Sequence, residues 1–473
     1  MKIGIDLGTT TTSVCIGEDR LTSHGPFPTL SAFRNEKWYF GSDAELEADR
    51  SEDDLWLMPN LKLDLGLQEK NVGGRIIQPQ RVLSDFLRSQ LDELGLVAVT
   101  EAVLGIPVRF SVAQRRAMSD AAVAAGISKV HLVYEPTAAL VGALEGYQLH
   151  GGDHVLVVDW GGGTLDVSLV QYQHESFREV LVTGDVNVLG GAKIDQAIAN
   201  KLLMGNRDMA LEVEAKPSGP SRFQALVEHA KRQVLQVGDP YLIEPPWLRC
   251  SVALTPELVN EILRDFGARG AERIRTLLAE SGVQISAVTH VLYAGGVCRS
   301  QTIRQELSRA LPGCLELPSS SPQMLTARGC ALLSRDGFRL LTSADVVLRE
   351  GDGQFCTLIP AQRQFEPDAY RGSDLIVTDA TDVIARIELG LRPTESSGSA
   401  VSLDSGRFRR LGELDVPTGA ALRSPLRVPD DLIRLFVGLT SEMCLHAYAV
   451  SQRKLSPVED WFTEIPMSLF IGR

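Results

Sequence analysis

Two stretches of this chain carry the same local plan, and that repetition limits the folds open to it more than any other feature. The longer reads Val155-Leu156-Val157-Val158-Asp159-Trp160-Gly161-Gly162-Gly163-Thr164-Leu165-Asp166-Val167-Ser168-Leu169-Val170. Two apolar, β-rich runs flank three glycines, the pattern of a hairpin with an open turn. Three glycines let successive backbone N–H groups turn toward one point, with no Cβ in the way of a phosphate. Asp159, at the end of the incoming strand, is placed to orient a hydrated Mg²⁺, and Thr164 to hydrogen-bond a terminal phosphate. Taken alone, the string also fits a plain glycine-rich hairpin. The N-terminus repeats the plan: Lys2-Ile3-Gly4-Ile5-Asp6-Leu7-Gly8-Thr9-Thr10, then a second strand through Ile16. Turn chemistry accounts for one such hairpin. Two of them, each opening a half of the chain, suggest a duplicated α/β fold with a nucleotide between its lobes.

The pair resembles the two phosphate loops of the actin, hexokinase and heat-shock ATPase superfamily, a ribonuclease-H-like fold. Further strings narrow the resemblance to the 70-kDa heat-shock (DnaK-type) chaperones. Glu135-Pro136-Thr137-Ala138-Ala139 follows a short apolar strand, Val130 to Val133. Proline suits a first helical position and a carboxylate is favoured there, so capping alone accounts for Glu135. In the family this glutamate faces the metal and the hydrolytic water. Lys62 lies in an apolar run, Leu55 to Gly66, that ends in glycine. By itself it reads as a solvated lysine with a buried stem; the resemblance makes it a positioner of the attacking water.

Other segments place the remaining candidates. Leu83, Phe86, Leu87, Leu91 and Leu94 recur at helical spacing before Gly95, and Glu101 to Val108 reads as a strand. Ser111-Val112-Ala113-Gln114 has the spacing of a capping box. Pro107 and Arg115, on their own a strand-ending proline and a solvated arginine, match the family's interdomain relay. In the second half Leu189-Gly190-Gly191 is followed by Ala192 and Lys193 where the family has an acidic pair, which weakens the exchange-factor surface inferred for relatives. Glu228, Lys231 and Arg232 share one helical face; an i, i+3 surface pair is the plain alternative to the family's adenosine clamp. Leu235 stands where the family has serine. Gly295, Gly296 and Arg299 follow the strand that starts at His290 and match the turn that lies against adenine; Gln301 replaces an expected proline.

The resemblance implies an ATPase domain over 1–334, with lobes of about 1–150 and 151–334, and a linker at 335–343 interrupted by Arg339. A small all-β sandwich follows at 344–455, with clearest strands at Phe355 to Ile359, Val383 to Leu389, Leu432 to Leu439 and Cys444 to Val450. Its alternating Val383, Ala385, Ile387 and Leu389 suggest an apolar cleft for an extended peptide, with Gly351 near the arch over it. Residues 456–473 read as a short tail without the family's helical lid. ATP or ADP with Mg²⁺ would lie between the lobes. Gly8, Thr9, Thr10, Gly161, Gly162, Gly163 and Gly191 would hold phosphates, and Asp6 and Asp159 the hydrated metal. Thr164, Lys62 and Glu135 would complete a slow ATPase.

Composition sets the outer bounds. The formal net charge of −13 argues against a nucleic-acid partner. Seven scattered cysteines without a CxxC suit a reducing cytoplasm, not a disulfide framework or zinc site. No apolar run reaches membrane-spanning length, and a first strand beginning at Lys2 sets the expectation of no signal peptide. Expected partners are an unfolded or extended peptide or one client protein, with a J-domain co-chaperone and an exchange factor possible from the resemblance. A small-molecule kinase, a filament-forming actin-like ATPase and an ATP-switched module for one folded partner remain as alternatives.

Overall fold

The computed structural model describes the chain apart from residues 51–54, 59, 73, 97, 174, 184–188, 217–218, 320, 351–352, 362–368, 377–383, 393–407, 418–431, 452–458, 466 and 472–473. It divides into two units: Met1–Tyr172 with Val180–Gly337, and Gln173–Glu179 with Phe338–Arg473.

In the first unit the duplication is visible strand by strand. The N-terminal sheet runs Val130–Tyr134, Glu101–Ile106, Lys2–Leu7, Thr11–Gly17, Leu21–Pro28. The second half repeats it with Leu315–Glu316, His290–Ala294, His154–Trp160 and Leu165–Gln173 in the same order. In both, a central strand has a parallel neighbour on one side and its own hairpin partner on the other. Asp6 pairs with Gly105 and Ser13, and Asp159 with Ala294 and Asp166. Both central strands are nearly continuous runs of buried Val, Ile and Leu, as strands covered on two faces must be. This is a mixed α/β, actin-like ATPase fold.

Helices cover the sheets where the apolar spacing calls for them. One runs Pro79–Glu93, burying Leu83, Phe86, Leu87 and Leu91. At Ser111 the capping box forms in full: Ser111 accepts from the Gln114 backbone N–H while Gln114 bonds back to the Ser111 backbone. Thr255 likewise caps Pro256–Glu280. Helix Glu135–Ala143 packs against Leu325–Asp336 at a distance only glycine allows. A Cβ on Gly142 would stand 2.2 Å from the Leu325 carbonyl oxygen, and one on Gly329 1.8 Å from that of Ala138. That contact fixes the helix whose first residue is Glu135.

The second unit holds two antiparallel four-stranded sheets. One orders Phe355–Ile359, Asp345–Arg349, Ile384–Arg392, Arg409–Pro417; the other Tyr370–Ile376, Leu432–Leu439, Cys444–Ser451, Glu459–Glu464. Period-2 burial gives each an apolar inner face, carried by Leu389 and Leu414 in one and by Leu435, Val437, Leu445 and Ala447 in the other. Ile387 (4 % exposed) and Leu389 (0 %) therefore belong to the packed interior, not to an open cleft. Val383 and Gly351 lie outside the described residues.

Two sequence expectations change here. The 335–343 segment is not a free linker: its first two residues end helix Leu325–Asp336, and Arg339–Thr342 is a strand. The 456–473 segment is not a plain tail, since it contains strands Glu459–Glu464 and Met467–Phe470. Met467–Phe470 pairs antiparallel with Arg339–Thr342 on one side and with Ser176–Arg178 on the other. The Ser343 and Ser468 hydroxyls, both buried, meet at 2.9 Å. Leu341, Thr342, Met467, Ser468 and Leu469 are all buried, so both faces are covered where the two strands pair, while Arg339 lies exposed at the start of its strand. The seven cysteines are unpaired, and among the described residues no helix is long and apolar enough to cross a membrane.

Candidate functional site

The two glycine-turn hairpins close in the same way: Gly8 N–H donates to the Thr11 carbonyl and Gly161 N–H to that of Thr164, both at 3.0 Å. They also meet each other. A Cβ on Gly162 would lie 2.0 Å from Thr10 Oγ1, and one on Gly163 2.5 Å from Thr9 Oγ1. The second and third glycines thus make room for the opposite hairpin. The 189–191 turn docks behind them, with Gly191 and Ala192 N–H groups bonding the Gly161 and Gly162 carbonyls at 3.0 and 2.7 Å.

At the strand ends above these turns sits a buried charge cluster. The short 3₁₀ turn Leu61–Asp64 brings Lys62 (5 % exposed) to within 2.5 Å of Glu135 Oε1 (8 %). Burial, reinforced by Glu135, pushes the Asp6 carboxyl up to about 7 against the pull of Lys62. Asp159 is raised well above the usual carboxylate range, by burial first and then by Glu135 and Asp6. Asp166 rises to about 6, chiefly from burial; Thr164 Oγ1 donates to it at 2.5 Å. Burial would lower the Lys62 ammonium, but Glu135, Asp6 and Asp159 outweigh it and hold it above its ordinary value.

Four carboxylates facing one ammonium leave a negative excess that suits a divalent cation. Among the described residues no three such side chains converge closely enough to ligate an ion directly. The donor set therefore fits an ion that keeps part of its water shell, as Mg²⁺ does.

The raised carboxyls have a consequence for stability. A carboxyl whose folded-state pKa is raised contributes stability that is complete below the ordinary value near 4 and is lost as pH rises through the folded value. For Asp6 and Asp166 that window runs from about pH 4 to 7. The nucleotide-free protein should lose thermal stability between about pH 4 and 7, and Asp6→Asn should flatten the fall. Parallel melting curves that stay equally steep in both proteins would show that Asp6 does not carry it.

A third wall comes from helix Gly219–Val237. Glu228, Lys231 and Arg232 share its inner face, but they do not pair among themselves as a surface i, i+3 couple would. The Lys231 ammonium makes an ionic contact with Asp195 at 2.6 Å, and Asp195 is only 2 % exposed. Arg232 reaches Glu45 of helix Gly41–Arg50 at 2.8 Å, and Arg222 Nε donates to the Ala48 carbonyl at 3.0 Å. Burial, then the Asp195 charge, raises the Glu228 carboxyl. Opposite, Gly295 has φ +82°, and a Cβ there would strike the Trp160 carbonyl and Asp159 Oδ1. Arg299 Nη1 donates to Gln323 Oε1 at 3.1 Å.

Hairpins, charge cluster and helix enclose one cavity of about 540 Å³, within the usual size of small-molecule sites. Asp6, Gly8, Thr9, Thr10, Lys62, Glu135, Asp159, Gly161, Gly162, Gly163, Thr164, Gly191, Glu228, Lys231, Arg232, Gly295, Gly296 and Arg299 all line it. Pro107 and Arg115 do not. Nor is Arg115 solvated: it is fully buried, donates to the Phe110 and Val108 carbonyls at 2.8 and 3.0 Å, and lies over the Tyr134 ring, next to Glu135. Asp166, Asp195, Asn260 and Gln323 also line the cavity, and no sequence motif marks them. Hairpin register would have found Asp166, since pairing Trp160 with Leu165 sets it opposite Asp159. The other three come from distant helices and turns.

A duplicated α/β core with two glycine hairpins facing a carboxylate-lined cleft defines an actin-like ATPase. Within that class the chain belongs to the Hsp70 family: the family model described as Hsp70 protein matches residues 42–335. Membership supports ATP binding with Mg²⁺, ATPase activity and a chaperone-type function in general terms.

Proposed function

We propose that this protein hydrolyses ATP slowly in the cleft and uses the nucleotide state to control client binding by the β-unit. The observation that carries this reading is the Lys62–Glu135 pair beside Asp6 and Asp159, above two facing glycine turns. Gly8 to Thr10 and Gly161 to Gly163 would hold phosphate oxygens through backbone N–H groups and hydroxyls. Asp6 and Asp159 would hold the waters of a Mg²⁺, whose charge when bound offsets that of the phosphates. The Lys62 ammonium, fixed by Glu135, has donors left for a phosphate oxygen or the attacking water, and Glu135 can orient that water as an acceptor. Phosphoryl transfer draws mostly on such positioning and charge stabilisation. Thr164 shares its hydroxyl proton with Asp166, so it meets a phosphate only if that bond is exchanged. Lys231, Arg232 and Glu228 would flank the ribose, and Gly295, Gly296 and Arg299 the base. Arg115, which lies over the Tyr134 ring and bonds the Val108 carbonyl, would carry the state of Glu135 outward together with the neighbouring Pro107. The free thiols favour a cytoplasmic location.

A second reading concerns the client. With Ile387 and Leu389 in the sandwich interior, an ATP-switched module for one folded partner is favoured alongside a peptide-binding chaperone. Single-turnover ATP hydrolysis, with and without a panel of unfolded peptides, separates them. A rate that responds to peptides supports the chaperone. Hydrolysis that ignores every peptide supports the single-partner module, and no hydrolysis at all removes the ATPase.

A further inference from the structure

Thr164 faces the cleft with its one proton already given away. Its Oγ1 donates to Asp166 at 2.5 Å, and a phosphate oxygen can only accept, so the hydroxyl serves a phosphate only once Asp166 gives that proton up. Asp166 lines the cleft, partly buried, and a carboxylate stripped of its donor there carries a desolvation cost. A replacement donor removes the cost. Burial and then the Glu135 charge raise this carboxyl; Thr164 and the cations Lys62 and Arg109 act against them. Lys62 is committed to Glu135. Arg109 is exposed, and among the described residues no hydrogen bond or ion pair holds its guanidinium.

The backbone of Arg109 is fixed beside the charge cluster from both sides. The strand Glu101–Ile106 ends with Gly105 paired to Asp6, and a Cβ on Gly105 would stand 3.2 Å from Glu135 Cγ. The chain then turns, the Phe110 N–H donating to the Pro107 carbonyl at 3.1 Å, and returns with the Phe110 ring centre 5.7 Å from the Lys62 ammonium. Arg115 clamps this turn through the Val108 and Phe110 carbonyls. Arg109 thus sits on a braced turn that leaves the cluster at Gly105 and rejoins it at Phe110, with a long side chain that nothing ties down. A guanidinium offers parallel donors that match a carboxylate, so Arg109 can replace the Thr164 proton on Asp166 without loss of hydrogen bonding.

Resting on the nucleotide reading above, we propose that Arg109 is a positioning residue for hydrolysis: with ATP bound its guanidinium takes Asp166, and the Thr164 hydroxyl turns to a phosphate oxygen. Single-turnover hydrolysis of ATP with Mg²⁺ by the full chain tests it in Arg109→Gln, Thr164→Val and the double variant. Arg109→Gln should be about tenfold slower, the worth of a hydrogen bond to a charged group, with ATP affinity nearly unchanged. In the Thr164→Val background the same substitution should slow hydrolysis no further, because the hydroxyl it releases is gone. Guanidinium ion at a millimolar, non-denaturing concentration should restore part of the rate to Arg109→Ala, and none to Arg109→Ala combined with Thr164→Val. An Arg109→Gln rate equal to that of the unaltered chain overturns the proposal. Losses that simply add in the double variant overturn it too, since Arg109 would then act apart from Thr164. If the unaltered chain hydrolyses no ATP, the ATPase reading falls and the proposal with it, so the two failures are distinguishable.

Discussion

Lys62→Ala should still bind ATP yet hydrolyse it in a single turnover at least ~10²-fold more slowly, the usual loss when a positioned catalytic group is removed. The structure says why one side chain carries that much. Among the described residues Lys62 is the only ammonium set among Asp6, Glu135 and Asp159, and its pairing with Glu135 holds both groups still. Removing one partner of a buried ion pair also costs stability, up to about 3–5 kcal/mol. The variant's fold should therefore be checked by circular dichroism and melting before rates are compared. Lys62→Met, which keeps the buried stem, provides a better-packed second measurement. Unchanged hydrolysis in either folded variant would move the role elsewhere in the cluster. Loss of ATP binding without a change in the bound rate would make Lys62 a ligand for ground-state phosphate only.

Much of this site was legible because its parts are local. An Asp at the end of an apolar strand, a glycine turn and a Thr lie within six residues of one another, and the hairpin forms from those residues alone. The capping box at Ser111 and the helix start at Glu135 are equally local, and both stand where the spacing put them. What the sequence hid is contact at long separation. Asp195 meets Lys231, Glu45 meets Arg232 and Gln323 meets Arg299 only after the chain has folded. Arg115 shows the same limit from the other side: its charge reads as surface, yet backbone carbonyls and the Tyr134 ring receive it in the core. In the sequence Arg339–Thr342 and Met467–Phe470 look like linker and tail because each strand is too short to stand alone. They exist by pairing across more than a hundred residues.

Gly162→Val should weaken ATP binding at least ~10-fold while the chain stays folded, since losing even one backbone hydrogen bond to a charged phosphate costs about 1.5–3 kcal/mol. The usual argument for glycine, a left-handed backbone, does not apply, because Gly161, Gly162 and Gly163 all lack a positive φ. The constraint is the opposite hairpin. A Cβ at 162 would sit 2.0, 2.4 and 2.7 Å from Thr10 Oγ1, Cγ2 and Cβ, so a branched side chain must push the two phosphate turns apart. Gly161 behaves differently, with nothing nearer its Cβ position than the Thr164 carbonyl at 3.9 Å. Comparing substitutions at the two positions therefore separates crowding between hairpins from crowding of the ligand. Thr10→Gly in the Gly162→Val background removes all three clashing atoms and should recover part of the affinity. No recovery would mean that the side chain at 162 blocks the phosphate itself. Trp160, buried two residues away with its indole N–H on the Leu189 carbonyl, gives a local fluorescence signal for the displacement. Normal ATP binding by the folded Gly162→Val protein would end the phosphate-cradle reading of this hairpin.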